Sequence, residues 1–370
     1  MNRLAMLIIV SCGWLFLSVP LVAEAQSNAD KRLLQKTSIK AEAKLVEEVL
    51  RELCEKHKLV VEFDPSVKEN AAGEVPFTLT ADGLTLGSVI DLACRSSSLT
   101  YYMEKGKLLI STSDAEDANL VVRQYALAAL GSIPDMPTFL DGLQRVTSGF
   151  WMDIDGDGGE FVAVTPQSLS IRQTRRVHEE LQSLFENLAA AASGRARPIT
   201  VQERAEQLIV RKLQSITQLP GGNISVSEVL DQLLKKSGIP YWIDLIALQD
   251  ESIDWDKATS TVDAKKMPIA ARLDSILEEL KLVWRVDDEV VQITTREKAS
   301  EQLSTRVYDI RRLVSPNRTP QSLASELTNN KEFGPWVETD DEGGNVMVLN
   351  TLLIVRQNDA IHVKLAKLLK

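Results

Sequence analysis

Glu48-Val49-Leu50 running into Leu53-Cys54-Glu55-Lys56 is met again, at the same internal spacing, as Glu228-Val229-Leu230 running into Leu233-Leu234-Lys235-Lys236. Both stretches place apolar residues at helical intervals with charges between them, so both are expected to be amphipathic helices. Outward from that helix, Leu86, Ile90, Ala93, Cys94, Leu99 and Tyr101 find counterparts in Ile269, Leu273, Ile276, Leu277, Leu282 and Trp284. Further on, Tyr125 pairs with Tyr308, Trp151 with Trp336, Gly158-Gly159 with Gly343-Gly344, Arg172-Gln173 with Arg356-Gln357, and His178 with His362. The separation stays at about 180–185 residues throughout, a self-similarity that points to two tandem copies of one unit.

Each copy divides again. Its first part opens with the amphipathic helix, whose apolar positions in copy one are Leu45, Val46, Val49, Leu50, Leu53 and Cys54. A strand is expected at Leu59 to Phe63, another around Val75 to Leu79, and a helix from Leu86 to Arg95. A hairpin from Leu99 to Met103 and Lys107 to Ser111 closes the part, turning at Glu104-Lys105-Gly106. In copy two the hairpin turns at Asp287-Asp288-Glu289. These short alternating elements predict one sheet with helices on one face. The second part reads β-α-β-β-α: a strand (Leu120 to Leu127; Thr305 to Leu313), a helix near Met136 to Val146 or Pro320 to Leu327, a hairpin from Trp151 through the Gly-Gly turn, and a last amphipathic helix. The expected fold class is therefore α+β, as small sheet-plus-helix modules at 30–115, 118–190, 205–300 and 303–370. A linker is expected at 191–204, where Ala, Ser, Gly and Arg accumulate.

The first part resembles the short N-terminal domain shared by secretins and TonB-dependent receptors. The likeness lies in the Leu45-Val46-Glu47-Glu48-Val49-Leu50 helix, the Thr85-Leu86 to Ile90 helix and the closing Leu108-Leu109-Ile110-Ser111 strand. The second part resembles the repeated periplasmic domain of secretins, through Tyr308-Asp309-Ile310-Arg311-Arg312-Leu313-Val314 and Leu352-Leu353-Ile354-Val355-Arg356-Gln357. Secretins and TonB receptors continue into a membrane β-barrel, and this sequence does not, so channel activity is not expected. The resemblance implies docking of protein partners through sheet edges and exposed faces.

Residues 1–25 read as a secretory signal peptide: Met1-Asn2-Arg3, an apolar run from Leu4 to Val22, then Ala23-Glu24-Ala25 as a small-x-small cleavage site. A retained anchor is the competing reading, and a lipidation box at Cys12 a weaker one. Beyond that run no segment approaches a transmembrane length. The expected location is the periplasm or cell envelope. A formal net charge of −10 with no Lys/Arg run opposes nucleic acid as a partner.

Residues able to carry chemistry are few. Asp153, Asp155 and Asp157 open like a calcium loop, but the bidentate Glu such a loop needs at its end is replaced by Val164. A solvated hairpin turn is the better account, with a weak calcium site as the alternative. Cys54 and Cys94 align with leucines in copy two, so each suits the buried face of its helix. In an oxidising compartment the pair is also a disulfide candidate. His57, His178 and His362 lack a second ligand three or four residues away and read as structural. No nucleophile elbow, phosphate loop or dinucleotide fingerprint occurs, so neither an enzyme nor a cofactor is expected. The expected function is an exported, non-catalytic interaction or assembly protein whose partners are other envelope proteins or itself. The alternative is a periplasmic module that captures a small ligand or peptide between its parts.

Overall fold

The computed structural model describes residues 31–195 and 199–369, so the expected signal peptide at 1–25 lies outside the described residues. The chain is α+β, with several small sheets, and the same element order recurs in each half.

In the first module, strand β1 (Lys36–Leu45) feeds helix α1 (Val46–Lys56), then strands β2 (Val60–Phe63) and β3 (Pro76–Thr85), helix α2 (Leu86–Arg95), and strands β4 (Leu99–Glu104) and β5 (Lys107–Thr112). Strands β1 and β3 form an antiparallel pair. Strands β2, β5 and β4 form a second sheet in that order, with β2 parallel to β5. Helix α1 contacts both β1 and β2, and α2 contacts both β3 and β4. The helices therefore lie between two sheets, which corrects the expectation of one sheet covered on one face. Helix α2 is buried at Leu86, Gly87, Ser88, Val89, Ile90, Leu92, Ala93 and Cys94, the all-round burial of a helix covered from both sides. Thr85 caps it, accepting from the Ser88 N–H at 3.3 Å. Strand β1 escapes sequence reading because Lys, Ala and Glu dominate it, residues depleted from strands.

The second module holds strand β6 (Val121–Ala126), helix α3 (Met136–Arg145), strands β7 (Glu160–Val164) and β8 (Ser168–Gln173), and helix α4 (Arg175–Ala192). Its sheet order is β6-β8-β7. Trp151 does not begin the hairpin, as the sequence suggested. It precedes a helical turn at Met152–Asp155 and meets Gly159 in an isolated bridge.

Helix α4 runs to Ala192, and helix α5 (Val201–Leu213) begins inside the expected 191–204 linker, held by a capping box between Thr200 and Glu203. The third module then repeats the first. Strands β9 (Ile216–Thr217) and β10 (Gly222–Ser225) pair with β13 (Met267–Pro268) and β12 (Thr259–Val262), reproducing β1 and β3 in two pieces. Pro220, lacking an N–H, sits where the ladder breaks. Helix α6 (Val226–Leu230), strand β11 (Tyr241–Ile243), helix α7 (Ile269–Glu278), and strands β14 (Leu282–Asp287) and β15 (Val290–Thr295) complete it, in sheet order β11-β15-β14. The fourth module, with strand β16 (Ser304–Asp309), helix α8 (Pro320–Thr328), strands β17 (Asn345–Leu349) and β18 (Leu352–Gln357), and helix α9 (Asp359–Leu368), has sheet order β16-β18-β17.

The halves are not side by side and separate; the two three-stranded sheets of copy two lie on copy one. Strand β8 alternates buried with half-buried residues, Ser168-Leu169-Ser170-Ile171, while its counterpart Leu352-Leu353-Ile354-Val355 in β18 is buried throughout. Leu353 and Val355 face their own helices. Leu352 and Ile354, with Met347 and Leu349, join the core of the second module. Strand β17 packs on α3 and β16 on α4. Gly142 on α3 leaves the room, since a Cβ there would fall 2.2 Å from Met347 Sδ. Likewise Trp242 and Val290 enter the core of the first module, with β11 against β3. A strand buried on both faces loses its alternation, and that is what β15 and β18 display.

Candidate functional site

The Tyr and His that recur between the halves form the same internal lock twice. Tyr125 on β6 meets His178 on α4, its hydroxyl 2.7 Å from Nδ1, while His178 Nε2 lies 2.9 Å from the Val121 carbonyl oxygen. Tyr308 and His362 repeat this at 2.8 Å, with His362 Nε2 2.7 Å from the Ser304 carbonyl. A carbonyl only accepts, so Nε2 carries the proton and Nδ1 receives the tyrosine O–H. Burial pushes both imidazoles down to about 4, so both are neutral near pH 7. Each ring has both nitrogens engaged and none left to ligate a metal or take a proton. The pair ties the strand that opens the module to the helix that closes it.

The Gly-Gly pairs serve the same module. Gln173 Nε2 donates to the Phe150 carbonyl at 2.7 Å, and Gln357 Nε2 to the Pro335 carbonyl at 2.9 Å. Gly159 and Gly344 pass so close that a Cβ would lie 2.5 and 2.6 Å from those amide nitrogens. Gly158 and Gly343 adopt φ +94° and +96°, which a side chain disfavours. Trp151 and Trp336 are core residues, each buried ahead of a helical turn.

The acidic turn has the same explanation. Asp155 Oδ2 accepts from the Trp151 N–H at 2.7 Å, and Asp340 Oδ2 from the Trp336 N–H at 3.0 Å, so each carboxylate caps its turn. Asp153 accepts from Gln144 Nε2 at 3.2 Å. Among the described residues no group of three or more His, Cys, Asp or Glu is arranged to hold a metal ion, and Asp153, Asp155 and Asp157 form no such group. Cys54 and Cys94 are buried free thiols on the two packed helices. Burial pushes Cys54 up to about 11 and raises Cys94 as well, so both are thiols rather than thiolates at neutral pH. His57 stands apart, its Nδ1 3.2 Å from Gln35 Oε1.

Two features lie between the modules. The first is a cleft of about 1450 Å³ between the halves, lined by α4, α5, β14, β16 and the segment 311–313. Both strands that border it are sheet edges: β14 ends the order β11-β15-β14, and β16 begins β16-β18-β17. Its charged walls are largely self-paired, Arg306 with Asp359 at 2.5 Å and Arg311 with Asp309 at 2.5 Å. The second is the charged contact between the first and third modules. Arg95 on α2 reaches Asp287 at 3.1 Å, Asp288 at 2.8 Å and Gln292 at 2.9 Å, and Lys36 reaches buried Glu289 at 2.5 Å. Glu289 also accepts from the Thr85 N–H at the start of α2. The signal for this contact was present in the turn Asp287-Asp288-Glu289, three carboxylates where copy one has Glu104-Lys105-Gly106.

No family model and no curated relative matches the chain. Among solved structures, one named "Structure of XcpQN012" is similar to it at 9% identity, covering 50% of this chain and 84% of that one, with a TM-score of 0.18. A likeness at that level carries no argument. No helix among the described residues is long and apolar enough to cross a membrane.

Proposed function

We propose that this chain is an exported, non-catalytic interaction or assembly protein of the periplasm or cell envelope, built from a duplicated pair of modules related to the periplasmic domains of secretins. The observation that carries the reading is the cleft between the halves, bordered by edge strands β14 and β16. An edge strand offers unpaired N–H and C=O groups, and a segment of a partner protein adds to such an edge as one more strand. The same reading is supported within the modules, where His178, His362, the Gly-Gly pairs and the capping carboxylates Asp155 and Asp340 are each committed to holding their own module in shape. The volume of the cleft also favours a second reading, capture of a small ligand or peptide between modules.

A photo-reactive amino acid placed at Arg306 or Arg312 in the cleft, and as a control at Glu42 on the far sheet, separates the two. Envelope proteins crosslinked from the cleft positions and not from Glu42 are the expected result. No crosslinked protein from any position, together with stabilisation of the chain by a small molecule, would move the assignment to ligand capture.

A further inference from the structure

Where the third module lies on the first, carboxyl groups outnumber the cations that face them. Helix α2 contributes Asp91 and Arg95, the β14–β15 turn contributes Asp287, Asp288 and Glu289, and α5 contributes Glu206. The facing cations are Arg95, Arg285 and Lys36. Lys36 is committed to Glu289. Arg285 is divided between Asp287 at 2.9 Å and Asp359 at 3.1 Å. Arg95 is the cation left to Asp288 and Asp91, and it also holds Asp287 and Gln292. Gln292 Nε2 donates to Asp288 at 3.1 Å, Tyr101 on β4 hydrogen-bonds Asp91, and the Glu289 backbone N–H serves Glu206. The turn is a two-residue hairpin loop with positive φ at both positions, Asp288 at 49° and Glu289 at 61°, matching Lys105 and Gly106 in copy one.

We propose that this face is a proton-dependent latch between the two halves, closed while Asp91, Asp288 and Glu206 carry protons and loosened as they ionise. Burial with too few counter-charges raises all three: Asp91 to about 6, Glu206 to about 7, Asp288 upward, with Asp287 adding repulsion to each. Glu289 is the contrast, held low by Lys36 and Thr85. A carboxyl raised in the folded chain lends stability that is complete below the ordinary carboxyl range and is lost as pH climbs through the raised value. The latch therefore loosens from the ordinary carboxyl range, about pH 4, up to about pH 7. Loosening uncovers Trp242 and Val290 and widens the cleft that α5 and β14 line.

The test is hydrogen exchange on the full chain, corrected for the intrinsic rate, read at β15 and α2. In the natural sequence protection falls by about tenfold between about pH 5.5 and about pH 8; in Asp91→Asn/Asp288→Asn/Glu206→Gln it changes by less than about twofold. Should the triple variant fail to fold, Glu206→Gln alone is read, and it must flatten the slope measurably. Protection that is constant or rises with pH in the natural sequence, or a slope unchanged by the substitutions, overturns the latch.

Discussion

Separating the halves is the sharpest test of how this fold is held. If residues 199–370 are expressed without the first half, Trp242, Val290, Met347, Leu349, Leu352 and Ile354 lose the partners that bury them. A fully buried side chain of this kind contributes about 1.5–3 kcal/mol, so the set amounts to about 9–18 kcal/mol. Halving that, for contacts kept within their own half and for residual burial in the unfolded chain, leaves about 5–9 kcal/mol. A whole domain has about 5–15 kcal/mol of net stability, so the isolated half should sit at or below the threshold of folding. Urea titration followed by tryptophan fluorescence, with sedimentation to read association, measures this. The isolated half should associate or lack a cooperative transition, and adding residues 31–195 should restore one. A monomeric 199–370 fragment unfolding within about 0.5 M urea of the full chain would refute the shared core.

Other outcomes follow from the same geometry. Tyr125→Phe and Tyr308→Phe each leave a buried Nδ1 without its donor and should cost about 1–3 kcal/mol in urea titration. In a proton-resonance titration His178 and His362 should stay neutral down to about pH 5, because burial lowers their folded pKa below the unfolded value of about 6.5. The sign is that of a depressed base: their contribution to stability is complete above the unfolded value and is lost as pH falls toward 4. Titration of either near its ordinary value would mean that the lock is open. Gly159→Ala and Gly344→Ala force a Cβ against a buried amide and a backbone carbonyl and should each destabilise by more than about 2 kcal/mol, whereas Gly131→Ala meets open space and should cost only the strain of its φ of +78°.

The sequence by itself determined what depends on near neighbours along the chain. Helix phases are written in the spacing of Val46, Val49, Leu50 and Leu53, and the structure buries all of them. The recurrence of Tyr125/His178 as Tyr308/His362 was legible as a repeat, and the placing of one residue on a strand and the other on a helix followed from period alone. The short alternating elements were enough to give an α+β class. Only the tertiary structure decided what depends on residues far apart. Strand β1 exists because β3 offers it a ladder about forty residues later; its Lys-Ala-Glu sequence has little strand preference of its own. The stack of copy two on copy one needed Leu352 and Ile354 to meet α3 and α4 across the repeat. The contrast of Leu-Leu-Ile-Val with Ser-Leu-Ser-Ile was the one local trace of that contact. The three carboxylates of the turn Asp287-Asp288-Glu289 were the one trace of the latch in the sequence; what they face could not be read there, because Asp91 and Asp288 are ordinary surface-type residues until the two halves close over them and remove the water that would otherwise solvate their charge.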